Sequence, residues 1–203
     1  MTTAILLSGG LDSIALCYWK RPEMAFTIDY GQRAAGGEIE AAELVSRKLK
    51  IRHETIRADC SRIGIGQLSA RSDVKPGIPP PTPEWWPFRN QLLITLAAAR
   101  AVTMGIKRML IGSVASDRRH QDGTMQFVKL MSSVLGIQEG RMSLVAPAIN
   151  ISSADLIRRS RVPIALLGWA HSCHTGNYAC GTCRGCEKNQ QVWNEIAGKC
   201  IAF

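Results

Sequence analysis

Short apolar segments alternate along this chain with longer stretches in which apolar residues recur every three or four positions. Ala4-Ile5-Leu6-Leu7 reads as a short buried strand, and Met24 to Asp29 ("MAFTID"), His53 to Ala58 and Arg108 to Gly112 ("RMLIG") read as further strands. Between and after them, Leu11 to Trp19, residues 35 to 50, Leu92 to Met104, residues 125 to 135 and residues 152 to 161 carry helical periodicity. Gly105 is placed to close the third of these helices, and a serine to cap the last. Strand–helix alternation of this kind predicts an α/β fold, a parallel sheet flanked by helices. No internal repeat is visible.

One segment breaks the alternation. Residues 59–88 contain five prolines within 76–83 and the pair Trp85-Trp86. An irregular stretch of this length inside a compact domain is a functional flap or a surface linker with a hydrophobic anchor. As a flap it would cover a site or dock a partner through its tryptophans.

The first strand ends at Ser8-Gly9-Gly10-Leu11-Asp12-Ser13, and a helix leaves at once. Glycines let the backbone turn tightly and approach a ligand, while the free amides of a helix start face negative charge. An ordinary strand–helix turn would need only one glycine. The loop lacks the Gly-Lys-Ser/Thr ending of a Walker A motif and the three spaced glycines of a dinucleotide fingerprint. Backbone amides around Gly9, Gly10 and Leu11 and the hydroxyls of Ser8 and Ser13 can hold phosphate oxygens. Asp12 offers a hard oxygen ligand for Mg²⁺. The reading is an ATP site.

A second constellation is Cys173-x6-Cys180-x2-Cys183-x2-Cys186. Four closely spaced thiolates around glycines suit a closed tetrahedral zinc site, with an iron–sulfur cluster as the rival. His171 and His174 lie beside it as alternative ligands. Such a metal would staple the C-terminal segment, giving an expected division into an α/β domain, 1–165, and a zinc-binding lobe, 166–203. Cys17, Cys60 and Cys200 are isolated and read as packed or free thiols.

Composition narrows the class. At 203 residues, 46% hydrophobic and 20% charged, the chain reads as globular. No apolar run reaches the roughly 18–20 residues that span a bilayer, and the start lacks the basic flank of a signal peptide. The expectation is a cytoplasmic protein without a membrane partner. A net charge of +9 favours anionic ligands, but the basic residues are dispersed, which makes nucleic acid a weak expectation.

Ser8-Gly9-Gly10-Leu11-Asp12-Ser13 resembles the SGGxDS pyrophosphate loop of the N-type ATP pyrophosphatases. With "SC…CGTCRGC" at the other end, the chain resembles the 7-cyano-7-deazaguanine synthase family, which forms the nitrile of the queuosine precursor. Tyr30-Gly31-Gln32 matches that family's YGQ, Arg89-Asn90 its R-N at a helix start, and "HQDGTMQF" its acidic segment, placing Asp122 and Phe127. The resemblance implies a Rossmann-like sheet of the adenine nucleotide alpha hydrolase type. It also implies ATP, Mg²⁺ and Zn²⁺ as cofactors and a deazapurine as the small-molecule substrate. In that chemistry the carboxylate of 7-carboxy-7-deazaguanine attacks the α-phosphate of ATP. Ammonia converts the acyl-adenylate to an amide, and a second ATP dehydrates it to the nitrile.

Carried over residue by residue, Ser8, Gly9, Gly10, Leu11, Asp12 and Ser13 hold ATP, with Asp12, Ser13 and Arg89 catalytic. Tyr30, Gln32, Asn90 and Asp122 bind substrate, and Cys173, Cys180, Cys183 and Cys186 bind metal. On the residues alone, Arg89-Asn90 also fits helix-start capping, Asp122 a turn before Gly123, and Tyr30-Gly31-Gln32 a strand-ending turn. The chain departs from the family at Ile14, where many superfamily members have Ser or Thr. It departs again at Pro87-Phe88 for Pro-Gly, at Gly123-Thr124 for Cys-Arg, and at Ala146-Pro147-Ala148 and Ser152-Ser153-Ala154 for Thr-Pro-Leu and a following lysine, so an arginine and a lysine are missing.

Divergent relatives in bacterial antiviral defence operons pass the activated deazapurine to a protein amine, so a protein acceptor and a second copy of this chain are admitted as partners. Two further classes remain: a tRNA-modifying ATP pyrophosphatase, which would need a catalytic cysteine pair, and a non-catalytic nucleotide-binding module.

Overall fold

The computed structural model describes residues 2–69 and 77–198 of the chain. The expectations for Pro76, for Cys200 and for residues 199–203 of the C-terminal lobe lie outside the described residues. Five strands, β1 (Thr3–Leu6), β2 (Met24–Asp29), β3 (Arg52–Arg57), β4 (Arg108–Leu110) and β5 (Ser143–Val145), form one parallel sheet in the order β3-β2-β1-β4-β5. Ala4 of β1 pairs with Met24 on one side and Met109 on the other. The central strands are apolar because both of their faces are covered: Ala4, Ile5, Ala25, Phe26 and Met109 are fully enclosed. β3, at one edge, reads "RHETIR" and is partly exposed throughout.

Helices α1 (Leu11–Lys20), α2 (Ala35–Leu49), α3 (Arg89–Thr103), α4 (Met125–Ile137), α5 (Ser153–Ser160), α6 (Ile164–Leu167) and α7 (Arg184–Gly198) complete the chain. They divide into two cores, one on each side of the sheet. Ile94, Ala97 and Ala101 of α3 and Val128, Met131 and Leu135 of α4 pack with Ala4, Phe26 and Met109. Ile14 and Leu16 of α1, Val45 of α2, Leu156 of α5 and Val192 and Ile196 of α7 pack with Ile5, Leu7 and Ala25. The C-terminal lobe therefore shares the second core with the α/β domain.

The sheet order reverses at β1: β2 and β3 lie to one side, β4 and β5 to the other. A crevice outside the carboxyl ends of β1 and β4 is the general consequence, and ligands bind there in doubly wound folds. The predicted strands and helices are all present. α3 starts at Arg89, three residues earlier than the apolar pattern implies, which puts Arg89 and Asn90 in its first turn. β5, α6 and α7 lie outside the elements read from the pattern. No helix among the described residues is long and apolar enough to cross a membrane.

Arg21, Lys50 and Arg161 end α1, α2 and α5 in the left-handed conformation, with φ of 46°, 56° and 54°. Glycine usually occupies this position, because a Cβ there meets the backbone. Exposed Lys50 has no other visible task, and its amide donates to Arg47 O at 3.2 Å whatever the side chain. Lys50→Gly is expected to stabilise the protein by roughly 0.5–1 kcal/mol, the strain relieved less the entropy glycine gains on unfolding. Urea denaturation measures this as a higher midpoint at an unchanged slope.

Candidate active site

Two close approaches of backbone to backbone shape the crevice. Gly9 has φ +76°, and a Cβ there would lie 2.6 Å from the Glu38 carbonyl oxygen of α2. Gly112, after β4, would place a Cβ 3.1 Å from Ser13 Cα in the first turn of α1. Gly10 caps α1 without a side-chain hydrogen bond, so the amides of Leu11, Asp12 and Ser13 have no acceptor within the helix. These three residues line a cavity of about 320 Å³, within the small-molecule range of about 300–1,000 Å³.

Ser8, Gly10, Leu11, Asp12, Ser13, Arg89 and Asn90 all line this cavity. Ser8 Oγ and Ser13 Oγ are 3.2 Å apart, and Ser13 Oγ donates to Gly10 O at 3.0 Å. Gly9 stands behind the wall, its carbonyl accepting from the His171 amide at 2.9 Å. The other three residues expected at the substrate are not among the lining residues. Asp122 holds the start of α3: its Oδ2 accepts from the Asn90 amide at 3.0 Å, and its carbonyl accepts from Asn90 Nδ2 at 2.9 Å. Tyr30 is buried edge-on against Trp86, with ring centroids 4.8 Å apart. Gln32 is buried too. Its Oε1 accepts from the Tyr30 amide at 2.9 Å and its Nε2 donates to Glu38 Oε2 at 2.7 Å.

Glu38 itself enters the cavity wall. Burial pushes its carboxyl up to about 7, against the pull of the Gln32 hydrogen bond and of the Arg89 charge. Its signal in the sequence was only an acidic residue near the start of a helix. Arg89 lies among Glu38, Tyr30 and His174, and its charge acts on all three.

The opposite wall comes from the C-terminal lobe: His171, Ser172, His174, Gly185, Lys188, Asn189 and Val192. Lys188 Nζ donates to Asp12 Oδ2 at 2.9 Å and to Asp117 Oδ1 at 3.3 Å. Burial works to lower Lys188, but the charges of Asp12 and Asp117 outweigh it and hold the ammonium above its ordinary range. Burial raises the Asp12 carboxyl, and the Lys188 ammonium and the Ser153 hydroxyl pull against it. Asp12 Oδ1 and Ser153 Oγ are buried side by side with no hydrogen bond of good geometry, and a carboxylate oxygen so weakly satisfied suits a hard cation. His174 is lowered to about 4, first by burial and then by Arg89, so its imidazole is neutral, and its Nδ1 is buried without a partner.

Residues 77–88 form a strap beside this wall. Trp86 is the hydrophobic anchor, buried against Tyr30 and over Gly64. Buried Glu84 pairs with Arg184 of α7 at 3.0 Å and faces His120 at 3.7 Å. Trp85 is half-buried, and Phe88 is 76% exposed.

The Sγ atoms of Cys173, Cys180, Cys183 and Cys186 lie within 4.8 Å of one another, with Cys180–Cys186 at 3.9 Å and Cys173–Cys183 at 4.0 Å. Zinc–sulfur bonds of about 2.3 Å in a tetrahedron require sulfur separations of roughly 3.8 Å, so the cluster fits zinc. The His174 amide donates to Cys183 Sγ, and the Cys183 amide to Cys180 Sγ, each at 3.3 Å. Hydrogen bonding, led by Thr175, pulls the Cys180 thiol down to about 5. Of the isolated cysteines, Cys17 is buried, its thiol pushed up to about 12, and Cys60 is partly buried. Neither lines the cavity.

The class is that of a doubly wound α/β protein with a small-molecule-sized cavity at its switch point, walled on one side by a four-cysteine segment. The family model described as "Queuosine biosynthesis protein QueC" matches residues 2–197, and the chain belongs to that family. Relatives named 7-cyano-7-deazaguanine synthase span nearly its whole length. That of Desulforudis audaxviator is 29% identical, covering 98% of this chain and 99% of the relative. The Nitrosospira multiformis protein is 30% identical over 90% and 86% of the two chains, and the Methylococcus capsulatus protein 29% over 94% and 93%.

Two outcomes follow. Cys183→Ser should abolish metal binding and lower stability by several kcal/mol, read by elemental analysis and thermal unfolding. The Glu38 carboxyl is raised in the folded protein, so its stabilising contribution is full below the ordinary value of 4.5 and is lost as pH rises through about 7. Glu38→Gln should flatten the stability profile across that window, and an unchanged slope in urea titrations at pH 4.5 and 7.5 would contradict the assignment.

Proposed function

We propose that this chain uses ATP and Mg²⁺ to activate the carboxylate of 7-carboxy-7-deazaguanine, releasing pyrophosphate, and passes the acyl-adenylate to ammonia to give the amide and then the nitrile. It would be an ATP-dependent ligase forming a carbon–nitrogen bond, working in the cytoplasm, where ATP is supplied. The observation that carries this reading is convergence. The Ser8–Ser13 turn, the first turn of α3 and the start of α7 meet at one cavity, in a chain whose relatives are named 7-cyano-7-deazaguanine synthase.

In this reading the α1 amides and the Ser8 and Ser13 hydroxyls bind the β- and γ-phosphates. Mg²⁺ at Asp12, when bound, neutralises charge on the departing pyrophosphate. Arg89 spans the α-phosphate and the substrate carboxylate, a pair of anions that an arginine fork can hold together. Asn90, fixed by Asp122, orients the nucleotide or substrate, and Tyr30 and Gln32 act on the substrate side through Glu38. Glu38, with its raised carboxyl, is suited to the polar edge of the deazapurine. Zinc at the four cysteines is structural, because the four thiolates leave no open position for water.

A second reading keeps the adenylation and changes the acceptor to a protein amine, as in an antiviral defence role. What favours it is the strap: Ile78 and Phe88 expose 62% and 76% of their surface, and Ile63 in the preceding loop 61%. A protein acceptor and a homodimer belong to the same proposal. A tRNA-thiolating activity has less support, because no cysteine among the described residues lines the cavity.

Mass spectrometry of reactions with ATP, Mg²⁺, 7-carboxy-7-deazaguanine and ammonium tests the assignment. AMP, pyrophosphate and a 7-cyano product are expected, with Asp12→Asn slowing pyrophosphate release about a hundredfold or more. AMP formation that stops at the adenylate or amide would favour the protein acceptor. Absence of AMP would overturn both readings.

A further inference from the structure

Lys188 stands 176 residues from Asp12 along the chain, yet it is the cation closest to the carboxylate on which the proposed metal site turns. It bridges that carboxylate to Asp117, whose Oδ2 accepts from the Val114 amide at 3.0 Å and which is therefore fixed to the backbone after β4. Lys188 is the second residue after Cys186, in the first turns of a helix that begins inside the cysteine cluster. The metal knuckle thus sets the place of its ammonium. Val192, one turn further, packs in the core with Ile5 and Leu7 and fixes the rotation of the helix.

We propose that Lys188 is a resident counter-ion of the phosphate site. Its ammonium holds Asp12 and Asp117 together in the empty enzyme and keeps a lone divalent cation out. It swings to the polyphosphate when nucleotide and metal enter together. This rests on the ATP reading for its second half only. The chemistry is that of a lysine at a phosphate: a flexible point charge, 39% exposed at the side chain, able to exchange one anionic partner for another. Two carboxylates within reach of one ammonium would otherwise form a ready divalent site, with Asp12 Oδ1 and the Ser153 hydroxyl buried beside it and no well-formed hydrogen bond on either. The lobe that binds the structural metal therefore supplies a positioning residue to the active site.

The test uses Mn²⁺ alone as the probe of the carboxylate pair, followed by electron paramagnetic resonance on the zinc-loaded full chain, with ATP affinity measured separately by calorimetry. Lys188→Met should tighten Mn²⁺ binding without nucleotide by about tenfold or more, since it removes a cation 2.9 Å from Asp12. It should also weaken ATP binding about tenfold, the loss of one charge-assisted contact. Lys188→Arg, which keeps the charge, should stay near the parent on the Mn²⁺ measurement. Unchanged zinc content and circular dichroism show that each variant is folded. Mn²⁺ affinity that does not change in Lys188→Met overturns the counter-ion role, and ATP affinity that does not change overturns the exchange. Should the parent bind no ATP while Mn²⁺ behaves as expected, the counter-ion role stands and the ATP reading falls.

Discussion

The site depends on how closely the backbone after β1 approaches its neighbours. Gly9 is pressed against the carbonyl of Glu38, and Gly112 against the first turn of α1. A side chain at either place would push the helix start away from the ends of β1 and β4. Everything else in the cavity is arranged around that approach. It brings the first-turn amides of α1 to the crevice. It sets Glu38 behind them through the start of α2, and it turns Asp117 toward Asp12 by way of the loop after β4. The left-handed Gly9 also presents its carbonyl to the His171 amide, so the same turn receives the C-terminal lobe.

That lobe is part of the cavity wall rather than an appendage. α7 is polar over most of its length and buries only Gly185, Val192 and Ile196, too little to hold a helix in place by apolar packing alone. A metal held by the four cysteines at its start would supply the missing constraint. The strap adds a second tie, because Glu84 reaches Arg184 at the beginning of the helix. The Asn177 side chain accepts from the Gly37 amide at 3.1 Å, joining the cysteine loop to α2. Loss of metal would therefore be felt at Lys188 and Asn189 before it was felt in the sheet.

The sheet and its order of elements were legible in the sequence because buried parallel strands are short apolar runs and the helices between them are periodic. β5 was not, since three residues, Ser143–Val145, carry too little pattern. α7 was hidden by its polarity and by the cysteines at its start. Within the site, the Ser8–Ser13 turn and Arg89-Asn90 were legible as local motifs. The Asp12–Lys188–Asp117 group and Glu38–Gln32 were not, because pairing between distant segments leaves no local signal. Asp122 was marked for substrate by its motif position, and its hydrogen bonds to the Asn90 backbone and side chain, which span 32 residues, had no local signal. The two tryptophans, equivalent in sequence, differ because only Trp86 finds a cavity, against Tyr30 and Gly64.

Phe88 carries the comparison with the family one step further. Where the resembled family usually has glycine, this chain has phenylalanine, and the backbone keeps the left-handed conformation glycine would adopt, with φ 53°. A non-glycine residue there costs roughly 1–2 kcal/mol, and the ring repays none of it by packing, being 76% exposed. The path of the chain into Arg89 is thus held by its surroundings: Trp86 on one side, and the Asp122–Asn90 hydrogen bonds on the other. Strain of this kind persists where neighbouring contacts over-determine it, and it gathers at functional positions. The substitution leaves the approach to Arg89 in place and changes what the protein displays beside it. The departure at Phe88 therefore alters the surface displayed next to Arg89 while the backbone path into the cavity wall is kept.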